Sequence, residues 1–535
     1  MTEFGILNWS IVTGFLIGTL ILGVFLSRRV KTADHYHLGT RTTPWWAIGL
    51  SVVATYVGAL TFLGGPAWAY NDGFAVILIH VNYPIVIFVV INLFLPFFYN
   101  SGVASIYEYL ERRFGHTSRS VMSVVFLMIY VAYGGIMLYA TALVLQFITG
   151  IDVVDAILII AVVALVYTLL GGISAVIWTD VAQMIVLLLG AFIVLFMLID
   201  QLAGGLLVTL GDLKAAGKTD PFSYSLDPAQ KYTIWTGIIA MSVYHVVVYG
   251  ASQNMVQRTL AAKTLGDAKK AYMMMGFAGF FIFFLFFLIG ILFYSYYDGR
   301  AFENENLILL EFVSTIAVPG LLGIVTVAIV AAAMSSLDSA LNSMATVTTL
   351  DFYQQYFNKH GSPQHYLKAS RLFTVIWALL IVLPAILFTR SEGSVLETLS
   401  KVGVFFVGAK VGMFGLGFFS KHTTERGLLI GVVASFLTLW YVETQLDIAW
   451  PWYAPLGGAV CVVVGWCASI LWDGFQSEYH PYTVQGQAQL FSQEQREEKV
   501  DGWYVIPGKI DRVSYLLLLF FIISLAALWF FKAMI

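Results

Sequence analysis

The chain has 535 residues, 59% hydrophobic and only 11% charged, with a mean hydropathy of +0.83 and a net charge of -3. A soluble domain carries about a quarter charged residues, so the deficit is too large for one buried core and lipid must solvate most of the surface. The charge balance points to neither nucleic acid nor a polybasic patch. Cys461 and Cys467 share one apolar run and read as small core residues, not as a disulfide or a metal site.

In chain order, Met1-Thr2-Glu3 lacks a basic n-region, and the first apolar stretch ends in Ser27-Arg28-Arg29. That is not a small-residue cleavage site, so a retained helix is expected. Runs long enough to cross about 30 Å of hydrocarbon place helices at 8–27, 46–70, 74–98, 119–149, 153–171, 180–200, 233–250, 270–297, 319–347, 369–389, 397–419, 427–444, 452–473 and 513–534. The expected fold is all-α and polytopic, with about 14 transmembrane helices. Alternation puts five basic loops on one side. They carry Arg28, Arg29, Lys31 and Arg41; Arg112, Arg113 and Arg119; Arg258, Lys263, Lys269 and Lys270; Lys359, Lys368 and Arg371; and Lys421 and Arg426. The positive-inside rule then places both termini outside a cell membrane. The hydrophilic segments 202–232 and 474–512 are each too short for a catalytic domain of roughly 100 residues.

Four stretches concentrate polar chemistry. In Ser51 through Pro66, the residues Gly58, Gly64, Gly65 and Pro66 make a spanning helix prone to break near the midplane. Freed carbonyls there are ready sodium ligands; a kinked packing helix is the alternative. Gly171-Gly172 is expected to end the fifth helix and Asp180 to open the sixth, where the helix dipole favours an acid. The seventh helix ends in Tyr249-Gly250-Ala251-Ser252-Gln253-Asn254, and two interrupted helices about five apart suggest an inverted repeat. In the ninth helix, opened by Pro319, Ser335, Asp338, Ser339 and Asn342 recur at three- and four-residue intervals on one face. Such an oxygen-rich stripe suits a hard cation. Small polar residues also glue membrane helices together, but an intramembrane carboxylate points to function. Asp338 lies roughly 28 Å below Pro319, near the depth of Asp180, so the pair is expected to serve a cation or to hold a proton.

Together with Gln257-Arg258-Thr259-Leu260-Ala261-Ala262-Lys263 and Ser105-Ile106-Tyr107-Glu108-Tyr109-Leu110-Glu111-Arg112-Arg113-Phe114, these stretches resemble the sodium/solute symporter family (sodium/glucose cotransporter-like) over roughly residues 8–430. The resemblance implies a LeuT-type 5+5 inverted-repeat core working by alternating access. Its segments would be a first helix and inner loop (1–45), a first repeat (46–200), an outer loop (201–232), a second repeat (233–419) and peripheral helices with inner loop 474–512 (420–535). It implies a co-transported sodium ion held by the carbonyls of Ala54, Val57 and Ala332 and the hydroxyls of Ser335 and Ser336. A second site in some members maps to Asp180, Ser336 and Ser339, with Asp338 where Ser, Thr or Ala is frequent. The solute positions carry Tyr56, Thr61, His80, Tyr83, His245 and Ser400, with Val248 at the gating aromatic. A sugar-type lining of amides and carboxylates is missing. His80, Tyr83, His245 and Tyr249, with Lys410 near mid-helix as counter-charge, favour a monocarboxylate- or sialate-like anion. Lys401 is placed to snorkel outward.

The expected function is therefore sodium-coupled import of a small organic solute, without catalytic residues; a proton-coupled or mixed-cation symporter is the near alternative. An ion channel would want a TVGYG-like filter or an arginine ladder. A membrane-embedded enzyme would want HExxH or GxSxG beside Asp180 and Asp338, and a primary pump would need a P-loop.

Overall fold

The computed structural model describes residues 4–27, 43–103, 105–316, 318–390 and 393–535, so Arg28, Arg29, Lys31 and Arg41 lie outside the described residues. Helix α1 (Gly5–Ser27) is followed by α2 (Trp45–Tyr56) and α3 (Ala59–Asp72), which meet at a 51° bend. Next come α4 (Phe74–Ser101), α5 (Ile106–Arg113), α6 (His116–Thr149), α7 (Val153–Gln201), α8 (Gly205–Ala215), α9 (Thr236–Gly250) and α10 (Gln253–Leu260). The second half holds α11 (Leu265–Tyr296), α12 (Ile308–Ile316), α13 (Leu321–Phe357), α14 (Pro363–Phe388), α15 (Val395–Phe419), α16 (Glu425–Gln445) and α17 (Trp450–Asp473). The chain closes with α18 (Val484–Gln493), a hairpin of β1 (Lys499–Val500) and β2 (Trp503–Tyr504), and α19 (Arg512–Met534).

Among the described residues, ten helices are long and apolar enough to cross a membrane, or eleven when α2 and α3 form one bent span. Gly5–Thr19, Val153–Val166 and α9 are shorter apolar helices. Helices dominate because hydrocarbon offers no partner for a free N–H or C=O.

Burial sorts the helices into a core and a rim. In α13, 89% of the apolar window is buried, against 22% in α14 and 28% in α19. Helix α13 packs on α7, α6 and α1, α11 packs on α2, α3 and α4, and α15 packs on α17, α9 and α3. The exposed side chains Leu379, Leu383, Ile522 and Trp529 mark the lipid-facing rim.

The connecting segments gather at two opposite ends. At one end Arg113 donates to the Ser420 carbonyl (2.6 Å), Ser118 N–H to Glu425 (2.8 Å) and Lys269 to Asp511 (2.6 Å). At the other end Lys218 donates to the Asn71 carbonyl (2.6 Å) and Lys231 pairs with Glu397 (2.9 Å). Lys532, in the last turn of α19, reaches Asp220 there (2.7 Å), and Asn8 of α1 accepts from Gly323 N–H in the first turn of α13 (2.9 Å). The described basic loops thus share one face, and the first helix begins, and the last ends, at the other. Four of the counted charges are not solvated: Arg119, Arg258 and Lys269 are buried and ion-paired, and Arg113 is buried against backbone carbonyls. On the basic face Ser105 caps α5 by accepting from Glu108 N–H (3.1 Å), the start of a capping box.

Several local expectations change. The break falls at Val57-Gly58, whereas Gly64, Gly65 and Pro66 lie inside α3. Those glycines serve close packing: a Cβ on Gly64 would meet Leu396 N at 2.8 Å, and one on Gly290 of α11 would meet the Pro66 carbonyl oxygen at 2.4 Å. In a bilayer, such close approach is what holds helices together. Helical geometry runs through Gly171-Gly172, and Asp180 sits inside α7 instead of at a first turn. Helix α13 starts at Leu321, after Gly320 adopts φ +81, so Pro319 precedes the helix instead of opening it. Cys461 is buried as expected, but Cys467 is exposed.

Candidate functional site

The bend between α2 and α3 leaves a gap in the backbone ladder. Val57 N–H closes onto Val53 O (2.9 Å), and Thr61 and Phe62 both donate to Gly58 O (3.0 and 3.2 Å). No backbone N–H among the described residues outside regular helix closes onto the Ala54 or Val57 carbonyl. The gap is pressed against α13. A Cβ placed on Gly58 would lie 2.5 Å from Ser336 Oγ and 3.4 Å from the Ala332 carbonyl oxygen. Ser336 Oγ in turn lies 3.3 Å from that carbonyl. The break thus sits beside Ala332 and Ser336, while neighbouring Ser335 turns to Asp180.

Below the bend lies a buried network that spans four helices. Asp180 accepts from Ser335 Oγ of α13 and from Ser51 Oγ of α2 (2.5 Å). Arg258 of α10 faces the same carboxylate (3.3 Å) and donates to Ser51 (2.9 Å), Ser339 and the Asn254 carbonyl (2.8 Å). Asp180 and Arg258 are each at most 1% exposed, so each charge depends on the other for its stability in the core. Arg258 stands out in the sequence only as part of a loop motif. The signal that finds it is a basic residue just beyond an interrupted helix, with a buried acid elsewhere to receive it.

Asp338 behaves differently from Asp180. Thr168 Oγ1 donates to its Oδ1 (2.5 Å), and its Oδ2 has no hydrogen-bond partner among the described residues.

A cavity lies beside the bend, and six of the eight expected solute residues line it: Tyr56, His80, Tyr83, His245, Ser400 and Lys410. Thr61 and Tyr249 do not line it. Thr61 is buried and points back to the Tyr56 carbonyl (3.4 Å), while the Tyr249 ring supports that of Tyr56 at 4.5 Å between centroids. His80 stacks on Phe283 (3.6 Å, 7° between planes), and its Nδ1 meets Tyr83 Oη at 2.7 Å. Asn82 donates its amide to Gly237 O (2.8 Å) and Ile79 O (3.1 Å), which leaves its Oδ1 to accept from His245 Nδ1 (2.8 Å). That bond fixes the His245 tautomer and leaves Nε2 as an acceptor. Val248 also lines the wall. Tyr130, Tyr133, Tyr244 and Asn254 are lining residues that sequence reasoning passes over. Their trace is the Tyr130/Tyr133/Met137 spacing, which puts all three on one face of α6. Lys410 is 3% exposed, and no carboxylate lies within ion-pair distance of it among the described residues. Lys401, by contrast, is half exposed and pairs with Glu397 (3.3 Å).

Comparison with known proteins fits this arrangement. The model of the sodium:solute symporter family matches residues 36–434. The sodium/sialic acid symporter SiaT of Proteus mirabilis is 30% identical over 469 residues, covering 86% of this chain and 95% of the relative. The sodium-coupled monocarboxylate transporter 2 of Bos taurus is 28% identical over 459 residues, covering 82% and 73%. Among solved structures, a Na+-coupled sialic acid symporter in a substrate-bound outward-open state, described as having a novel Na+ site, superposes with a TM-score of 0.80 at 30% identity, covering 88% of this chain and 99% of the other.

Proposed function

This chain belongs to the sodium:solute symporter family, and from that premise we propose that its solute is a compact organic anion whose carboxylate is met by Lys410. The protein is a LeuT-like, multi-pass membrane protein that couples solute movement to sodium by alternating access, and it is not an enzyme. Sodium and solute are both cargo.

One observation carries the choice of an anion. Lys410 lines the cavity, nearly fully buried, with no carboxylate in range among the described residues. An uncompensated ammonium in a dry site is costly, and a solute carboxylate removes that cost. The relatives named for sialic acid and for monocarboxylates carry carboxylates, which supports the same choice. Tyr83, His245 and Ser400 supply hydrogen bonds for the remainder of the solute.

Sodium in this reading binds at the bend, on the carbonyls of Ala54, Val57 and Ala332 and the hydroxyls of Ser335 and Ser336. The close approach of Gly58 to Ser336 and Ala332 supports it. The ion thus ties α2 and α3 to α13. Loss of the ion frees the two groups of helices to move, which is how sodium occupancy biases alternating access.

The topology follows the same proposal. Segments 46–200 and 233–419 form the two five-helix repeats, each opening on an interrupted helix. The three shorter apolar helices complete about fourteen crossings. The basic face is the inner one, with both termini outside a cell membrane.

The test is uptake into proteoliposomes of a panel of labelled monocarboxylates, N-acetylneuraminate and neutral hexoses under an inward sodium gradient. Uptake of a carboxylate, weakened in Lys410→Met, is expected. Uptake of hexoses alone refutes the anion reading and leaves sodium coupling standing.

A further inference from the structure

Three hydroxyls on the wall of the solute cavity spend their only proton on the protein backbone. Tyr56 donates to the Val248 carbonyl (3.4 Å), Tyr133 to the Thr55 carbonyl (3.4 Å) and Ser400 to the Leu396 carbonyl (3.0 Å). Each keeps only lone pairs for whatever occupies the cavity. His80 and Tyr83 bond to each other (2.7 Å), as do Tyr130 and Ser252 (3.2 Å), and either pair can turn its protons both ways.

His245 joins the acceptors for a reason that lies outside the cavity. Asn82 of α4 is fully buried and is not part of the cavity wall. It commits both amide protons to backbone, at Gly237 O (2.8 Å) and Ile79 O (3.1 Å). The Gly237 carbonyl is within reach because α9 meets α4 with no side chain between them: a Cβ on Gly237 would lie 2.5 Å from the Leu78 carbonyl oxygen. With its amide so oriented, Asn82 can only accept from His245, and the imidazole proton sits on Nδ1 (2.8 Å). The neutral ring, which lines the cavity, then offers a lone pair and not an N–H at Nε2.

Four acceptors thus share the wall with one cation, Lys410. A solute that gives its carboxylate to Lys410 meets lone pairs with the rest of its length. A bare oxygen there would leave two acceptors facing each other out of water, which is costly. A hydroxyl satisfies them by donating. An ammonium would donate too, but Lys410 in the same dry site repels it.

Resting on the organic-anion reading, we propose that the solute is a hydroxylated carboxylate, and that Asn82 is the positioning residue that holds the His245 proton on Nδ1 and so makes the site reject oxo and unsubstituted carboxylates. The selectivity is set by a side chain that never touches the solute.

Two measurements on the purified full chain test this. With 15N-labelled histidine, nuclear magnetic resonance reports the His245 tautomer, and His245→Gln identifies its signals among the nine histidines. Nδ1 should be protonated and Nε2 bare. A proton on Nε2, alone or beside one on Nδ1, overturns the proposal without requiring any transport activity. In calorimetric titration in sodium, lactate, glycerate and gluconate should bind about tenfold more tightly, or better, than pyruvate and propionate. Asn82→Leu frees Nδ1 and lets Nε2 carry the proton, so lactate and pyruvate should then bind within about threefold of each other. Pyruvate binding as tightly as lactate in the parent overturns the proposal. So does a parental ratio in Asn82→Leu, since a merely structural role weakens both solutes equally. Should that variant fail to fold, the parent's tautomer and binding ratio decide. Binding of glycerol or hexoses with no carboxylate bound would instead refute the anion reading and leave the donor requirement and the role of Asn82 standing, so the two failures are distinguishable.

Discussion

Gly58→Ala probes the sodium site without replacing a single proposed ligand. Gly58 has φ -99 and ψ -165, an extended conformation that alanine adopts freely, so the substitution carries no backbone strain. Its effect is steric. The new methyl would lie 2.5 Å from Ser336 Oγ, 3.1 Å from Met137 Cε and 3.4 Å from the Ala332 carbonyl oxygen. Ordinary contact with oxygen needs about 3.4 Å or more, so either Ser336 or the bend must move by roughly 1 Å. Met137 is flexible and yields, but Ser336 is fixed on a helix whose neighbours are buried. Overpacking of this kind costs about 1–3 kcal/mol. Because Ser336 and Ala332 are both proposed ligands, that cost falls on the ion-bound form. At about 1.4 kcal/mol per tenfold, the sodium concentration for half-maximal uptake should rise roughly 5- to 150-fold. The assay is solute uptake by proteoliposomes as a function of external sodium, with thermal unfolding of the same preparations. Gly64→Ala is the control: its methyl would meet Leu396 of α15, so it should lower stability without a selective change in sodium dependence. Parental sodium dependence in Gly58→Ala, with a folded protein, refutes placement of the ion at the bend.

The remaining predictions concern single charges. Arg258→Met should lower stability by about 3–5 kcal/mol by stranding Asp180 in the core, and Asp180→Asn by a similar amount, whereas the double variant should recover most of it; additive losses on thermal unfolding would refute the pairing. Lys410→Met should raise KM for a carboxylate solute about 10- to 100-fold, from the loss of a charge-assisted bond of about 1.5–3 kcal/mol, and an unchanged KM would make Lys410 structural. On the basic face, burial raises the Glu111 carboxyl, but hydrogen bonds from Arg119 and His116 outweigh it and hold the group below its ordinary value. A depressed carboxylate gives stability that is present above its unfolded value of about 4.3 and lost as pH falls through the folded one, so acid should loosen α5 in that window. Hydrogen exchange of α5 amides reads this, and Glu111→Gln should remove the acid-dependent part; a parental acid response in that variant contradicts it.

Features that rest on composition and spacing are legible in the amino-acid sequence alone. Apolar runs locate the spans, and the Ser335/Asp338/Ser339/Asn342 spacing locates the buried polar face of α13, because periodicity in a helix maps directly onto a face. The bend is legible as a glycine-rich stretch, but its position is not. Four helix-weakening residues lie within nine positions, and only packing against Leu396, Phe286 and α11 decides that Gly64, Gly65 and Pro66 stay helical while Gly58 yields. Long-range charge pairing is the least legible. Arg258, Arg119 and Lys269 read as solvated loop charges, since nothing local distinguishes them from Lys263 or Lys270, yet each folds into the core against an acid more than 70 residues away. In the cavity, five positions carried by resemblance converge with Lys410, read from its place near mid-helix, whereas the tyrosines of α6 and α9 arrive through helix packing that a single sequence does not encode locally.

Sodium coupling through the bend is tested most directly by the double variant Ser335→Ala/Ser336→Ala in proteoliposomes that hold an inward sodium gradient. The parent should accumulate solute only with the gradient and move sodium with it in fixed ratio, while the folded double variant should lose sodium dependence altogether. Solute uptake by the parent that ignores the gradient, or parental sodium activation in the double variant, would contradict the account.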